Sequence, residues 1–593
     1  MAGSLSAALG LLVMSLLLLG AGPPGTSPPT RMSRSPAGGA ATPGLSQQAQ
    51  AHVPIQLLDA AGRPVDTGTA DPEPYSPRMT CGGCHSYDTI SQGYHFQLGA
   101  DSIADDYGAK TGKPWILSDG MMGRQFHMSY KSLAKKSNSA QSEIATTPYQ
   151  FAQTCGKCHP GGGLMERDRD GERYDLRQQA HPELAASLDG DYHNAAWDRS
   201  GVLEIDCLLC HQSNYHAEAR LSQLTQGNLK WAATAGAGLG VVKGAVNSGD
   251  SPTLSYRTHL FHNGKVELDI ADPADRNCLF CHAEAEVKKR GHVWDGRNDD
   301  VHTAAGLQCV SCHTAGLDHQ MLKGRSNEVM VRNDLDSAAQ SCESCHTQGR
   351  LGAAKPAHKT LPATHLERIA CVTCHVRDAN VTAVLAVDTT TGSTMSIATA
   401  KQARKFGESV TWRPAYFRLD DGKLYAGNAL LPVWWGNRTA RVIHPLLLRE
   451  TRHAYEKVKH VIADDSGDGK VEANKESQIK AMLAALRDSL QGGRFKQLTP
   501  VYVKGHTVYE LKQGLLTAAP HRQASPLRWT FSHNVSPARK ALGAGGCTDC
   551  HGPDSTFFTG PVVTDPYGEH GQRVTLPMWR YLGLEPEAIK GST

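Results

Sequence analysis

The sequence predicts a mainly α chain with long loops, an interior that side chains alone cannot fill, a small β-containing insert, and a helix-loop-helix ahead of its last motif. Three observations lead there. Eight copies of the pentapeptide C-x-x-C-H use all sixteen cysteines. The 593 residues are only 40% hydrophobic and 6% aromatic, lean for a chain long enough to form several domains. Turn residues recur between short helical stretches from about Tyr75 to Asn380.

In chain order the motifs hold Cys81, Cys84 and His85; Cys155, Cys158 and His159; Cys207, Cys210 and His211; and Cys278, Cys281 and His282. Then come Cys309, Cys312 and His313; Cys342, Cys345 and His346; Cys371, Cys374 and His375; and, far beyond, Cys547, Cys550 and His551. C-x-x-C-H is the signature of covalent haem c attachment, in which both thiols bond the porphyrin and the adjacent imidazole ligates iron. A zinc ribbon also uses paired C-x-x-C elements, but does not need a histidine after each. A disulfide framework is equally indifferent to that position. No cysteine is left over for a nucleophile. Four motifs from Cys278 to His375 stand about thirty residues apart, too close for each segment to enclose a core of its own. Eight porphyrins would supply the missing apolar surface, so the haem-free chain is expected to be largely unfolded.

The 61 basic and 58 acidic residues give a net charge of +3, with no bias toward nucleic acid. Residues 1–22 read as a signal peptide: Leu5 to Leu19 is apolar and Gly20-Ala21-Gly22 suits cleavage. No Lys or Arg precedes Arg31, which departs from the usual pattern. The alternative is an uncleaved anchor, since residues 4–22 approach the roughly 20 needed to span a bilayer, but Arg31 and Arg34 would then sit on the exported side, against the positive-inside preference. Residues 23–74 read as a flexible Pro, Gly, Ser and Ala-rich linker. After cleavage no transmembrane segment is expected.

Residues 75–380 form the expected seven-haem domain. Residues 381–441 alternate apolar and polar side chains, with turns at Asp420-Asp421-Gly422 and Gly436-Asn437, and read as strands. Residues 442–493 contain two amphipathic helices, at Arg449–Ile462 and Ser477–Leu490. Between them Asp464, Ser466, Asp468 and Lys470 occupy positions one, three, five and seven of an EF-hand-like calcium loop. Lys475 stands at position twelve, where such a loop carries glutamate, so the site would be weakened or the loop merely solvated. Residues 494–593 form a C-terminal segment with the eighth haem.

Of 28 histidines, eight belong to the motifs. Twenty remain for eight distal positions, enough to saturate every iron. Proximity to a motif selects His95, His127, His193, His302, His319, His358, His365 and His533. His181, His216, His259, His262 and His292 are reserves, and His453 or His460 could also serve a haem. Met121, Met122 and Met128 are possible but unnecessary.

The motifs, with stretches such as Ser200-Gly-Val-Leu-Glu-Ile-Asp-Cys207 and His365-Leu-Glu-Arg-Ile-Ala-Cys371, resemble the exported multihaem c-type cytochromes of bacteria, octahaem members included, and those of porin-cytochrome conduits. The resemblance implies electron transfer among eight haems in the periplasm or at the outer surface, with other redox proteins, an outer-membrane porin-cytochrome complex included, as partners. No catalytic residue is named. The alternative is an octahaem oxidoreductase of the hydroxylamine, nitrite or tetrathionate type, with one iron open to substrate; no motif here has the C-x-x-C-K form of pentahaem nitrite reductases. A polymer of stacked cytochromes is a third reading.

Overall fold

The computed structural model of the chain describes residues 52–97, 147–168, 170–186, 192, 195–285, 300–321, 341–359, 361–377, 383–388, 393–397, 414–440, 442–446, 448–465, 467, 471–493, 495–530, 532–565 and 568–589. The signal-peptide expectation, His127, His193, His292, Met121, Met122, Met128, Ser466, Asp468 and Lys470 lie outside them.

The first seven motifs each occupy, open or directly follow a short helix: α1 (Pro77–Cys81), α2 (Pro148–Cys155), α3 (Cys207–His211), α4 (Asp275–Ala285), α5 (Cys309–Cys312), α6 (Cys342–His346) and α7 (Cys371–His375). Local chemistry starts them. Ser76, Thr147, Asp206 and Ser341 accept a hydrogen bond from the second or third helical amide of α1, α2, α3 and α6, which satisfies donors the helix cannot pair itself. Pro77 and Pro148 sit in the first turn, where the missing N–H costs nothing.

The first four motifs are surrounded by more side-chain core than the composition suggests. Tyr174 stacks on Trp197 with ring centroids 4.2 Å apart, and Tyr149 meets the same indole edge-on; Phe151, Leu203 and Leu224 are buried with them. The expected linker over 23–74 contains packed residues: Ile55 bridges Val266, and Leu57 is buried with Tyr75 and Leu254. Around α6 and α7 the picture reverses, and the buried cluster there is Ala370, Val372 and Val376.

The mainly α expectation is wrong. The chain is 38% helix and 18% strand, because a nine-stranded sheet forms between the seventh and eighth motifs. Its strands are β1 (Ala383–Asp388), β2 (Ser393–Ile397), β3 (Ala415–Arg418), β4 (Leu424–Thr439), β5 (Val442–Pro445), β6 (Pro500–Lys504), β7 (Thr507–Lys512), β8 (Leu515–Pro520) and β9 (Leu527–Thr530). The main path runs β8-β7-β6-β4-β1-β2, with β3, β5 and β9 also on β4. All pairings are antiparallel except β1 with β4. The 16-residue β4 is long enough to be shared along its length: Leu424 to Leu430 pairs with β3 and β9, and Val433 to Asn437 with β6.

Alternation along β4 explains both faces. Leu431, Val433 and Trp435 point to one side with Tyr502; Trp434 points to the other with Val501 and Val503. Trp435 lies opposite Tyr502, rings stacked at 4.1 Å. Helices α8 (Leu448–Val458) and α9 (Glu476–Ser489) cover the first face. In α9, Ile479, Met482, Leu483 and Leu486 recur at three and four residues, making the stripe that packs on the sheet.

Candidate haem sites

A helix explains why the motif needs its spacing. Residues i, i+3 and i+4 share one face, so both sulfurs and the imidazole address a single planar group. The ordinary helical bond fixes this: the His85 amide donates to the Cys81 carbonyl at 2.9 Å, and the same bond holds His159, His313 and His551 at 2.9, 2.9 and 2.8 Å. We number the sites one to eight in chain order.

Seven motif histidines face a second imidazole at nearly constant separation. The ring centroids lie 6.5 Å apart for His85 and His52 at site one, 6.1 Å for His211 and His319 at site three, and 6.2 Å for His282 and His95 at site four. At sites five to eight they are 6.0 Å for His313 and His533, 6.2 Å for His346 and His302, 6.3 Å for His375 and His358, and 6.2 Å for His551 and His365. A metal sits about 2 Å from each ligating imidazole nitrogen, and the two ring radii bring the centroid separation to about 6 Å. The rings are therefore spaced to take one iron between them. Direct stacking would bring them closer.

Hydrogen bonds select the nitrogen that faces the gap. Nδ1 of His211 donates to the Ala271 carbonyl at 2.9 Å, that of His346 to Ala354 at 2.7 Å and that of His551 to Ile589 at 3.0 Å. On the facing side, His52 and His319 donate to the carbonyls of Val53 at 3.0 Å and Leu317 at 3.1 Å. A carbonyl can only accept, so the proton is on Nδ1 and Nε2 is left as a metal ligand. Nδ1 of His365 is buried without a hydrogen-bond partner. Burial lowers the pKa of His211 and His375, and burial followed by the Arg220 charge pushes His159 down to about 4. Neutral imidazole is the form that ligates.

Site two differs. His159 is buried and packs against Phe151 at 5.2 Å. No imidazole faces it among the described residues; the candidates His127 and His193 lie outside them.

The described candidates His95, His302, His319, His358, His365 and His533 all face a motif histidine, yet mostly not at the motif nearest in sequence. His95 follows site one and faces site four; His302 precedes site five and faces site six; His533 precedes site eight and faces site five. Sequence reasoning missed His52, which it placed in the linker. The available signal was a first, isolated histidine beside the apolar stretch Val53 to Leu58.

A buried polar network fixes the first sites relative to each other. Glu204, just ahead of α3, accepts from Ser76 Oγ at 2.7 Å and from the Arg78 amide at 3.0 Å. Arg78 and Tyr87 both reach Glu166, at 3.0 and 2.8 Å. Arg220 is 2% exposed; it pairs with Asp206 at 3.2 Å and donates to the carbonyls of Gly156, His159 and Pro160. One guanidinium thus binds the motif of site two to the cap of α3.

Of the expected calcium ligands only Asp464 lies among the described residues. Asp464 accepts from the Gly467 amide at 2.7 Å, and Lys475 pairs with Asp465 at 2.6 Å. An ammonium stands where the ligand set of a calcium loop would end. Among the described residues no group of three or more His, Cys, Asp or Glu is placed to hold a metal ion by itself.

The family model described as cytochrome c554 and c-prime matches residues 251–314, which span the motifs of sites four and five. The match supports a c-type cytochrome. No curated protein and no solved structure matches the chain. The family match suggests haem-based electron transfer. Among the described residues no helix is long and apolar enough to cross a membrane.

Proposed function

We propose that this c-type cytochrome carries eight haems and passes single electrons between redox partners in the periplasm or at the outer cell surface, as part of a respiratory or extracellular conduit. Bound haem iron cycles between ferric and ferrous states; the protein's part is to hold, orient and insulate it. The observation that carries the reading is the set of seven facing imidazole pairs at 6.0 to 6.5 Å. Two imidazoles at each of these sites would hold the iron from both sides, leaving it no place for a substrate and favouring a low potential over Met/His ligation. The apolar run ahead of residue 22 supports export, and the partner is then another exported redox protein, an outer-membrane porin-cytochrome complex being the one the sequence resembles.

Mass spectrometry of the mature protein, made in a host competent in haem attachment, tests the count: eight haems are expected, and fewer overturn it. Electron paramagnetic resonance of the oxidised protein tests the role. Wholly low-spin iron fits a carrier. One high-spin equivalent would favour the second reading, an oxidoreductase acting on a small nitrogen or sulfur compound at site two, the site where His159 faces no described imidazole. A weakened calcium site on Asp464, Ser466, Asp468 and Lys470 belongs to the same reading, supported by the loop spacing of those residues.

A further inference from the structure

Motifs distant in the sequence lie side by side, and the hydrogen bonds between them order the sites in space. Each sulfur of a haem c site is bonded at the porphyrin's edge, so contact between sulfurs of two motifs places two porphyrin edges side by side. That order rests on the eight-haem reading.

Site one lies against site three: the Arg78 amide in α1 donates at 3.0 Å to Glu204, three residues ahead of Cys207, and Cys81 and Cys207 are neighbours. Site three then meets site four: the amide of Asn277 donates to the carbonyls of Leu209 and Gln212, both at 2.9 Å, and Cys210 interacts with Cys278. Site two also meets site four, through Cys158 on Cys281, whose sulfur lies 3.7 Å from the Lys157 carbonyl.

From site four the contacts run outward. Cys278 touches Cys309 of site five, whose amide donates to Asp275 at 2.6 Å. Site six follows: His302, whose carbonyl accepts from the Leu307 amide just ahead of Cys309 at 2.9 Å, faces His346 at 6.2 Å, and Cys312 and Cys345 are neighbours. Cys342 touches Cys371 of site seven, whose sulfur is 3.7 Å from Glu343 Oε1. Finally Cys374 interacts with Cys550 of site eight, and the Leu542 amide donates to the Cys374 carbonyl at 2.9 Å.

We infer that the sites form one unbroken file in the order one, three, four, five, six, seven, eight, with site two a side branch on site four. The use of the two cysteines supports it. Sites four and five meet through their first cysteines, five and six through their second, six and seven through their first, seven and eight through their second. Each of sites five to seven thus offers one edge to each neighbour, as an electron file requires. Every transfer moves one electron from a ferrous to an adjacent ferric centre, with no bond made or broken. The file has three free ends, at sites one, two and eight, so the molecule can exchange electrons at three places.

The test is a crystal or electron cryo-microscopy structure of the holoprotein, with mass spectrometry counting its haems. Eight haems, with site four in edge contact with sites two, three and five, and site one touching only site three, is the expected result. Eight haems with site two between sites one and three, or with a gap anywhere from five to eight, overturns the order while leaving the eight-haem reading intact. Fewer than eight removes that reading instead. In solution, the double variant Cys155→Ser, Cys158→Ser, lacking site two, is expected to shift the potential of one remaining centre, and Cys309→Ser, Cys312→Ser, lacking site five, to shift two. Equal numbers in the two variants contradict the branch.

Discussion

Asp300 holds the ring of His302: its Oδ1 accepts from Nδ1 at 3.0 Å and from the His302 backbone amide at 2.8 Å. Its Oδ2 accepts from the amide of Val535 at 3.0 Å, two residues past His533. One carboxylate therefore positions the facing histidines of sites five and six together.

A carboxylate behind an imidazole raises its basicity, and the His302 pKa is indeed raised by its bond to Asp300. A more basic ligand stabilises the ferric state, so Asp300→Asn is expected to raise the potential of site six. A differential of roughly 1 kcal/mol, the size of a typical net hydrogen bond, corresponds to about 40 mV for one electron. Spectroelectrochemistry reads it. A potential unmoved or lowered would mean that Asp300 serves the backbone only.

His52→Ala removes the imidazole that faces His85. The haem count should not change, since attachment uses Cys81 and Cys84, but one centre should become high-spin and bind carbon monoxide. An oxidised spectrum identical to the parent's would show that His52 is not the ligand.

Site two can be settled by substitution. Tyr192 shares a buried cluster with Phe151 and Cys155, which makes His193 the residue to change first and His127 the control. The expected result is a new high-spin signal in His193→Ala and none in His127→Ala. If the unsubstituted protein already has a high-spin centre that neither variant alters, site two is open and the oxidoreductase reading gains.

Arg220→Met leaves Asp206 buried without its countercharge and frees three carbonyls. Breaking a buried pair from one side costs about 3–5 kcal/mol, and guanidinium denaturation of the holoprotein should lose about that much. A change under about 1 kcal/mol would indicate that water takes over the contacts.

The motifs stand in the sequence itself, because the spacing that brings both thiols and the imidazole to one helical face is local. The facing histidines were legible only as a surplus of imidazole, since pairs such as His95 with His282 are set by long-range packing that no local pattern encodes. The strands of 381–441 were readable from alternation. Val501-Tyr502-Val503 and the turn at Gly505 carried the same signal, but their partner is β4, some sixty residues earlier, so the sheet's size was not evident and the helical fold class was overestimated. The apolar stripes of α8 and α9 were readable, with bounds differing by a few residues. Composition suggested a core made almost wholly of haem, whereas the Trp197 and Tyr174 stack shows that a few well-placed aromatics supply a conventional interior around site two.

The placement of His533 beyond the sheet has a consequence for biosynthesis. Its ring serves a motif laid down long before it, and His365 waits in the same way for the last motif of all. A ribosome that stops inside the sheet would release a product in which His313 has lost its facing imidazole, so on the eight-haem proposal a lesion near the tail would be felt as a colour change in the middle of the molecule.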